Sequence, residues 1–430
     1  MEEPSTQTGR APEGPASSQP LASARPPASP PTMFGILADR NFRLYWIALQ
    51  LSVLARIVQF VAQNWLVLEL TNSPLMLGVT SLANTLPSLA LTLVGGAIAD
   101  RANRKIIFIA TELIMAFLYI VLATLIATGT VRIEHVIIFA FLTGCVRALD
   151  QPTRQAILPQ VISKKDMINA VVLVNIVWQL GYLAGPAVAG MLIYLWGVGS
   201  AFYVGAVGFL VTVALLLLVH VEPAQSTGKK RSLLQEMAEG LDYIRNDAIV
   251  RTLIGLSIFN GIFGLAYQTL MPVFARDILD VGSRGYGFLN AASGAGSVIG
   301  AFIVAYLARF RKKGWQILIG AAVSGLLLIG FALSSSYPLS MGILFLIGVA
   351  TDLYLTTTGS VLQLYLPDQL RGRVFAIYGL TWGLMPLGGM ILGTTAEFAG
   401  APIAVVLAGV LVTATAVYIA MTKPKMRRLE

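Results

Sequence analysis

The sequence predicts an all-α membrane protein of twelve transmembrane helices arranged as two pseudo-symmetric six-helix halves. Three observations carry this expectation. Of the 430 residues, 56% are hydrophobic and 12% are charged, against about 25% charged in a soluble protein, and the mean hydropathy is +0.75. Apolar stretches near the ~20 residues that a helical span needs recur along the chain. None shows the alternation of barrel strands, so a helical bundle is the remaining way to satisfy the backbone in lipid. Finally, the chain repeats itself at an offset of 208 residues. Arg101, Arg104 and Lys105 fall on Arg309, Lys312 and Lys313; Gln155, Leu158 and Pro159 fall on Gln363, Leu366 and Pro367; Gly181 and Gly185 fall on Gly389 and Gly393. Agreement in three successive regions argues for duplicated six-span halves. The copies are not equivalent, because Ala308 stands where the second half would carry the acid Asp100.

The elements follow in order. Residues 1–41 form a disordered N-terminal tail: 1–32 are rich in Pro, Ser and Ala and lack the apolar core of a signal peptide. Its Pro-rich part, Arg25 to Pro31, is a candidate partner-binding stretch. The first half, 42–221, holds spans at 42–70, 75–99, 106–128, 135–157, 169–195 and 199–221. A linker at 222–248 follows. Ser232 and Gln235 there have capping-box spacing, and Leu234, Met237, Leu241 and Ile244 recur at helical intervals, which predicts an amphipathic surface helix. The second half, 249–422, holds spans at 249–274, 286–308, 315–335, 339–365, 373–398 and 401–422, and 423–430 is a short tail.

The net charge of +9 suggests a nucleic-acid partner only until the charges are placed. With a cytoplasmic N-terminus, Arg132, Arg276 and Arg284 fall outside and Arg56 and Arg147 lie inside spans, and all other Lys and Arg fall on the cytoplasmic side. This is the positive-inside asymmetry, with both termini in the cytoplasm of a cell-membrane protein. Hairpins near Asn72, Gly197 and Ser335 are then extracellular. Those near Arg101, Lys164, Lys312 and Arg371 are cytoplasmic. An RNA-binding face would need a basic stripe with interleaved aromatics, and none is present, so no nucleic acid is expected. Cys145, the single cysteine, lies inside a span, and His135 and His220 have no ligand-spaced neighbour. No metal site, disulfide or cofactor is expected.

The string GAIADRANRK at 96–105 places Gly96, Asp100, Arg101, Arg104 and Lys105 in a hairpin between two spans. Gly96 is expected to allow close approach of two helices. Asp100 is expected to dock at the N-terminus of span eleven, around Arg371 to Val374, where the helix dipole and Arg371 or Arg373 attract a carboxylate. The spacing G-x-x-x-D-R-x-x-R-K resembles the loop 2–3 signature of the major facilitator superfamily of secondary transporters. Further strings resemble one branch of it, the transmembrane secretion effector family that includes the enterobactin exporter: QNWLVLELTNSP (63–74), ALDQPTRQA (148–156), MPVFARDIL (271–279), YGFLNAASGAG (286–296) and LPDQLRGRV (366–374). The resemblance implies export of siderophores, macrolides or other lipophilic small molecules. In span five, GYLAGPAVAG (181–190) resembles the superfamily's antiporter signature, with Val172 and Ala189 where glycines are expected. Its Gly181 and Gly185 have small-xxx-small spacing, and Pro186 and Gly190 add a bend.

Charges within the hydrocarbon layer cost at least ~2.5–3.5 kcal/mol on insertion scales and face a cavity or a partner. Arg56, Gln59 and Gln63 share one face of span one; Arg147 and Asp150 in span four are spaced to pair. The resemblance implies that spans one, four, seven and ten line a central cavity. Span seven adds Asn260, Phe263, Tyr267 and Gln268 as cavity candidates. Asp352, near the middle of span ten, is the leading proton-carrying acid, with Asp150 second and Glu112 third; Glu112, and the pair Arg147 and Asp150, also admit a purely structural reading. No Gly-rich phosphate loop with Lys and Ser/Thr is present, which weighs against a built-in ATPase. The expectation is therefore a non-enzymatic, monomeric secondary transporter in the lipid bilayer, with a small-molecule substrate and protons, or alternatively sodium, as the coupling ion. A lipid or lysolipid flippase, an importer, and a non-transporting receptor or accessory subunit are the alternatives.

Overall fold

A computed structural model describes residues 34–101, 103–221 and 233–429. The N-terminal tail 1–32, its Pro-rich stretch and residue Ser232 of the capping box lie outside the described residues. The chain runs through α1 (Arg40–Thr71), α2 (Pro74–Arg101), α3 (Arg104–Ala127), α4 (Ile133–Val161), α5 (Met167–Trp196) and α6 (Val198–Leu218). The linker helix α7 (Leu233–Asn246) follows, then α8 (Ala248–Phe263), α9 (Tyr267–Val273), α10 (Gly282–Tyr306), α11 (Lys313–Ala332), α12 (Tyr337–Tyr365), α13 (Asp368–Gly383), α14 (Met385–Ala399), α15 (Ala401–Thr422) and α16 (Pro424–Arg427). Among the described residues there is no strand. Eleven helical segments are long and apolar enough to cross a membrane, with α8 and α9 in one segment and α13 and α14 in another. The twelfth bundle helix, α4, is also the one that carries Arg147, Asp150 and Arg154.

The repeat has a structural counterpart at the same offset. Asp39 caps α1 by accepting from Asn41 N–H and Phe42 N–H, and Asp247 caps α8 by accepting from Ile249 N–H and Val250 N–H. Arg43 donates to Leu37 O, and Arg251 donates to Arg245 O. A helix start leaves four N–H groups without an intrahelical partner and needs such an acceptor. The copies then diverge. The first-half α1 is continuous, whereas span seven breaks at Gly264, ends α9 at Val273 and continues as a π-turn over Phe274–Ile278.

Two seams join the halves, α5 against α10 and α2 against α14. Both are built on backbone contact. A Cβ placed on Gly190 would lie 2.6 Å from Ser283 O, one on Gly287 2.5 Å from Pro186 O, and one on Gly393 2.6 Å from Pro74 O. At the end of the bundle away from α7, Arg276 donates to Leu68 O (3.1 Å) and Asn72 Oδ1 (2.8 Å), and the Glu397 carboxylate accepts from Ser73 Oγ (2.7 Å) and Leu75 N–H (3.2 Å). Trp65 stacks on Tyr286 with ring centroids 5.8 Å apart.

The core follows the same division. At the end away from α7 one apolar cluster runs through both halves, from Leu66, Leu77 and Ala189 to Tyr267, Phe274, Tyr286 and Leu392. At the α7 end it splits: Phe42, Tyr45, Phe108, Ile157 and Leu173 belong to the first half alone, and Val250, Leu253, Ile317, Leu362 and Val374 to the second. The halves are packed together at one end and separately cored at the other.

Candidate functional site

Four charged side chains meet in the interior of the first half, drawn from three helices. Arg56 of α1 places Nη2 2.9 Å from Glu112 Oε1 of α3 and 3.1 Å from Asp150 Oδ2 of α4. Arg154, one turn beyond Asp150, places Nη2 2.6 Å from Glu112 Oε1 and Nε 2.8 Å from Asp150 Oδ2. Ser52 donates to Glu112 Oε1 at 2.9 Å and accepts from Arg154, and Thr111 donates to Asp150 Oδ1 at 3.3 Å. The guanidinium of Arg154 lies over the Phe108 ring at 4.7 Å and that of Arg56 over Phe209 at 5.5 Å. Glu112 is 0%, Asp150 3% and Arg154 8% exposed.

Two cations and two anions cancel, which is what permits such burial. Satisfaction is unequal: Glu112 Oε1 carries three partners, while Glu112 Oε2 and Arg154 Nη1 have no hydrogen-bond partner. Arg154 was expected on the cytoplasmic side, and the structure corrects this. Its i,i+4 spacing from Asp150 was the available signal, and α4 continues past Pro152 to Val161, carrying Arg154 inward with it. The expected pairing of Asp150 with Arg147 does not form, because Asp150 is held by Arg56 and Arg154.

Arg147 is instead exposed along α4, with Tyr182 of α5 within electrostatic reach. Tyr182 sits on the seam, its carbonyl against Gly294 of α10. Arg147 has no carboxylate partner among the described residues. Asp352 is its counterpart in the second half: half-buried on α12, it accepts from Thr356 Oγ1 at 3.2 Å and meets no cation among the described residues. A Cβ on Gly300 of α10 would lie 2.8 Å from the Asp352 Cβ, so this glycine makes room for it. Tyr378 of α13 lies nearby and donates to Leu355 O.

The other cavity candidates scatter. Gln59 donates to Gln63 and accepts from Tyr119, closing an amide pair above the charged network. Asn260 and Tyr267 are each 1% exposed within the packed core, Asn260 O accepting from Gly264 N–H and Leu265 N–H at the break. Phe263 and Gln268 are half-buried beside them.

In the hairpin motif, the close approach belongs to Gly95, whose Cβ position is filled by Ala148 O. A Cβ on Gly96 would meet nothing within 4 Å, which corrects the expectation for Gly96. Arg104 donates to Ala156 O (3.0 Å) and Lys105 to Leu217 O (3.1 Å) and Val219 O (2.7 Å), tying α3 to the carbonyl ends of α4 and α6. The side chains of Asp100 and Arg101 lie outside the described residues. Of the expected docking partners, Arg371 pairs with Asp368 at 2.7 Å and Arg373 pairs with Glu239 of the linker helix. In span five, Gly181 and Gly185 face Val53 and Ile57 of α1 while Pro186 and Gly190 face α10, so the string serves both the half and the seam.

A family model described as transmembrane secretion effector matches residues 31–430. The chain is 24% identical over 344 residues to a staphyloferrin A transporter of Staphylococcus aureus, covering 79% of this chain and 85% of the relative. It is 25% identical over 355 residues to the multidrug efflux pump Tap of Mycolicibacterium fortuitum (80% and 86% covered) and 21% identical over 403 residues to macrolide efflux protein A of Streptococcus pyogenes (91% and 97%). Among solved structures, a bacterial homologue of the human lysosomal transporter Spinster, inward-facing and unoccupied, superposes with a TM-score of 0.74 at 16% identity, covering 90% of this chain and 97% of that one. The nucleoside transporter NupG superposes with a TM-score of 0.72 at 13% identity, covering 89% of this chain and 99% of that one.

Proposed function

The chain belongs to the transmembrane secretion effector family of the major facilitator superfamily, a family of membrane transporters rather than enzymes, and we propose that it exports a small lipophilic organic molecule by proton-coupled antiport. The observation that carries the reading is the split core: packed through both halves at one end and divided at the other. A bundle with that packing is open at the α7 end, and alternating access requires the opposite state to be reachable by rocking one half against the other. The α7 end is the cytoplasmic one on the positive-inside argument, so this state would load substrate from the cell. Asp100 is proposed to help hold the opposite, outward-open state by docking near Arg371 to Val374.

Arg147 and Asp352 are charges well inside their spans that meet no ionic partner among the described residues, one in each half, and are proposed as the groups that meet substrate and proton. Protonating Asp352 removes a charge whose burial in a closed, dry cavity costs at least ~2.5–3.5 kcal/mol, so proton uptake from outside and the return to the loading state would be linked. Asp150 and Glu112 stand behind it as coupling candidates. The substrate classes carried by the relatives, a siderophore, a macrolide and other drugs, are the first to try.

The test is uptake into inverted vesicles with an acidic lumen, against a panel of siderophores and antibiotics. Accumulation stopped by an uncoupler is expected. Accumulation that needs sodium instead would replace the ion, and uptake only by right-side-out vesicles would overturn export. Asn72→Cys on a Cys145→Ala background should label with an impermeant reagent in intact cells; labelling only after permeabilisation would reverse the orientation.

A further inference from the structure

Positive charge is scarce at the end of the bundle away from α7, the outer end on the positive-inside argument, where Arg132, Arg276 and Arg284 fall. Two of these three reach across to the first half. Arg276 Nη1 donates to Leu68 O (3.1 Å) and Asn72 Oδ1 (2.8 Å), at the carbonyl end of α1. The Arg284 guanidinium of α10 lies over the Tyr194 ring of α5, 6.0 Å from its centroid. An acid answers them at the other seam. The Glu397 carboxylate of α14 accepts from Ser73 Oγ (2.7 Å) and Leu75 N–H (3.2 Å), at the amino end of α2. A base at the last carbonyls of a helix and an acid at its first N–H groups are each the favoured sign for that end. The second half thus caps both helices that flank the turn at Asn72 and Ser73. Asp277 aims the arginine: its carboxylate accepts from Arg276 Nε (2.6 Å) and Nη2 (3.1 Å), which leaves Nη1 for the first half.

The repeat shows that these contacts are added to the duplicated bundle. At the offset of 208, Asn72 corresponds to Asp280, and both hold a left-handed backbone with φ of 50°. Arg276 corresponds to Leu68, so the arginine reaches its own counterpart across the pseudo-two-fold. Glu397 corresponds to Ala189, which is fully buried. Where the second half carries a base and an acid, the first carries two apolar residues. We infer that Arg276 and Glu397 form a one-sided clasp, by which the second half grips the α1–α2 turn and holds the outer end shut. The clasp rests on the alternating access proposed above and adds what sets its resting balance. All four hydrogen bonds cross between the halves, so rocking the outer ends apart breaks them together and leaves Leu75 N–H to water. The resting protein is therefore biased toward the state open at the α7 end.

The test is the distance between spin labels on Thr130→Cys and Ser335→Cys, exposed positions at the outer end of the first and second halves. The whole chain is used, on a Cys145→Ala background in lipid nanodiscs, and no transported compound is needed. Arg276→Gln and Glu397→Gln should each raise the ratio of outward-open to outward-closed protein about fivefold. Asn72→Gly keeps the left-handed turn and removes only the acceptor. It should open the outer end by itself and add nothing to Arg276→Gln. Arg132→Gln, at the third outer arginine, should leave the ratio unchanged. Gly393→Val drives the α2 and α14 backbones apart whatever the clasp does, since its Cβ position lies 2.6 Å from Pro74 O, and so reports whether the halves can rock. Opening by Gly393→Val but by neither Arg276→Gln nor Glu397→Gln would overturn the clasp and leave alternating access standing. An equal shift with Arg132→Gln would also overturn the clasp. No opening in any variant would overturn both.

Discussion

The two halves share a repeat and a helix arrangement, yet they handle membrane charge in opposite ways. The first half collects Arg56, Glu112, Asp150 and Arg154 into a neutral network across α1, α3 and α4. At the offset of 208 the second half has Gly264, Gly320, Thr358 and Leu362, with no charge among them. Gly264 stands where Arg56 would be, and it is where span seven breaks. The second half spends its single mid-membrane charge at Asp352, with a hydroxyl for a partner and no cation among the described residues. A saturated network resists change, because moving any member exposes the others. A lone acid with one weak partner can gain and lose a proton without unpairing anything. The comparison assigns rigidity to the first half and coupling to the second.

Breaking the network should have the largest effect on folding. Arg154→Leu leaves Glu112 and Asp150 with one guanidinium between them and should cost about 3–5 kcal/mol, read as thermal unfolding in detergent. A melting temperature within error of wild type would show that the network is not what holds α1, α3 and α4 together. A middle-sized effect sharpens where α2 meets α4. Gly95→Ala should cost about 1–3 kcal/mol through overpacking against Ala148, whereas Gly96→Ala, with open space at its Cβ position, should be neutral or slightly stabilising. Equal effects at the two glycines would contradict the packing. The smallest expected effect lies in the second half's surface. The pair Arg373 with Glu239 ties α7 to α13 at an exposed site, so Glu239→Gln should change stability by about 0–1 kcal/mol. A loss as large as that of Arg154→Leu would erase the contrast between buried network and surface pair.

Much of the architecture was legible because lipid leaves the backbone few choices: apolar length led to the helices and the repeat to the halves. The site was legible in part. Glu112, Asp150 and Arg56 stood out as charges in apolar runs, but no spacing within one helix reveals a network closed by three helices, so Arg147 was paired with Asp150 by proximity along the chain. Arg154 was counted with the cytoplasmic charges although the span read at 135–157 contains it, and only the fold shows α4 running on to Val161 with Arg154 between Glu112 and Asp150. The break at Gly264 escaped for a related reason: one glycine in an apolar stretch is ordinary, and only packing shows that Asn260 and Tyr267 turn into the core. Gly95 and Gly96 cannot be told apart in a sequence, since what separates them is the carbonyl of Ala148 on another helix.

The claim that the unpaired acid of the second half does the coupling is tested most directly by Asp352→Asn in proteoliposomes, once a transported compound is in hand. Proton-driven accumulation and downhill exchange of the same compound are measured on one preparation. The account expects uphill accumulation to fall to the level of protein-free liposomes while downhill exchange and the melting temperature stay near wild type. Accumulation against the gradient by Asp352→Asn at the wild-type level would contradict it and return the coupling role to Asp150 or Glu112 of the first-half network.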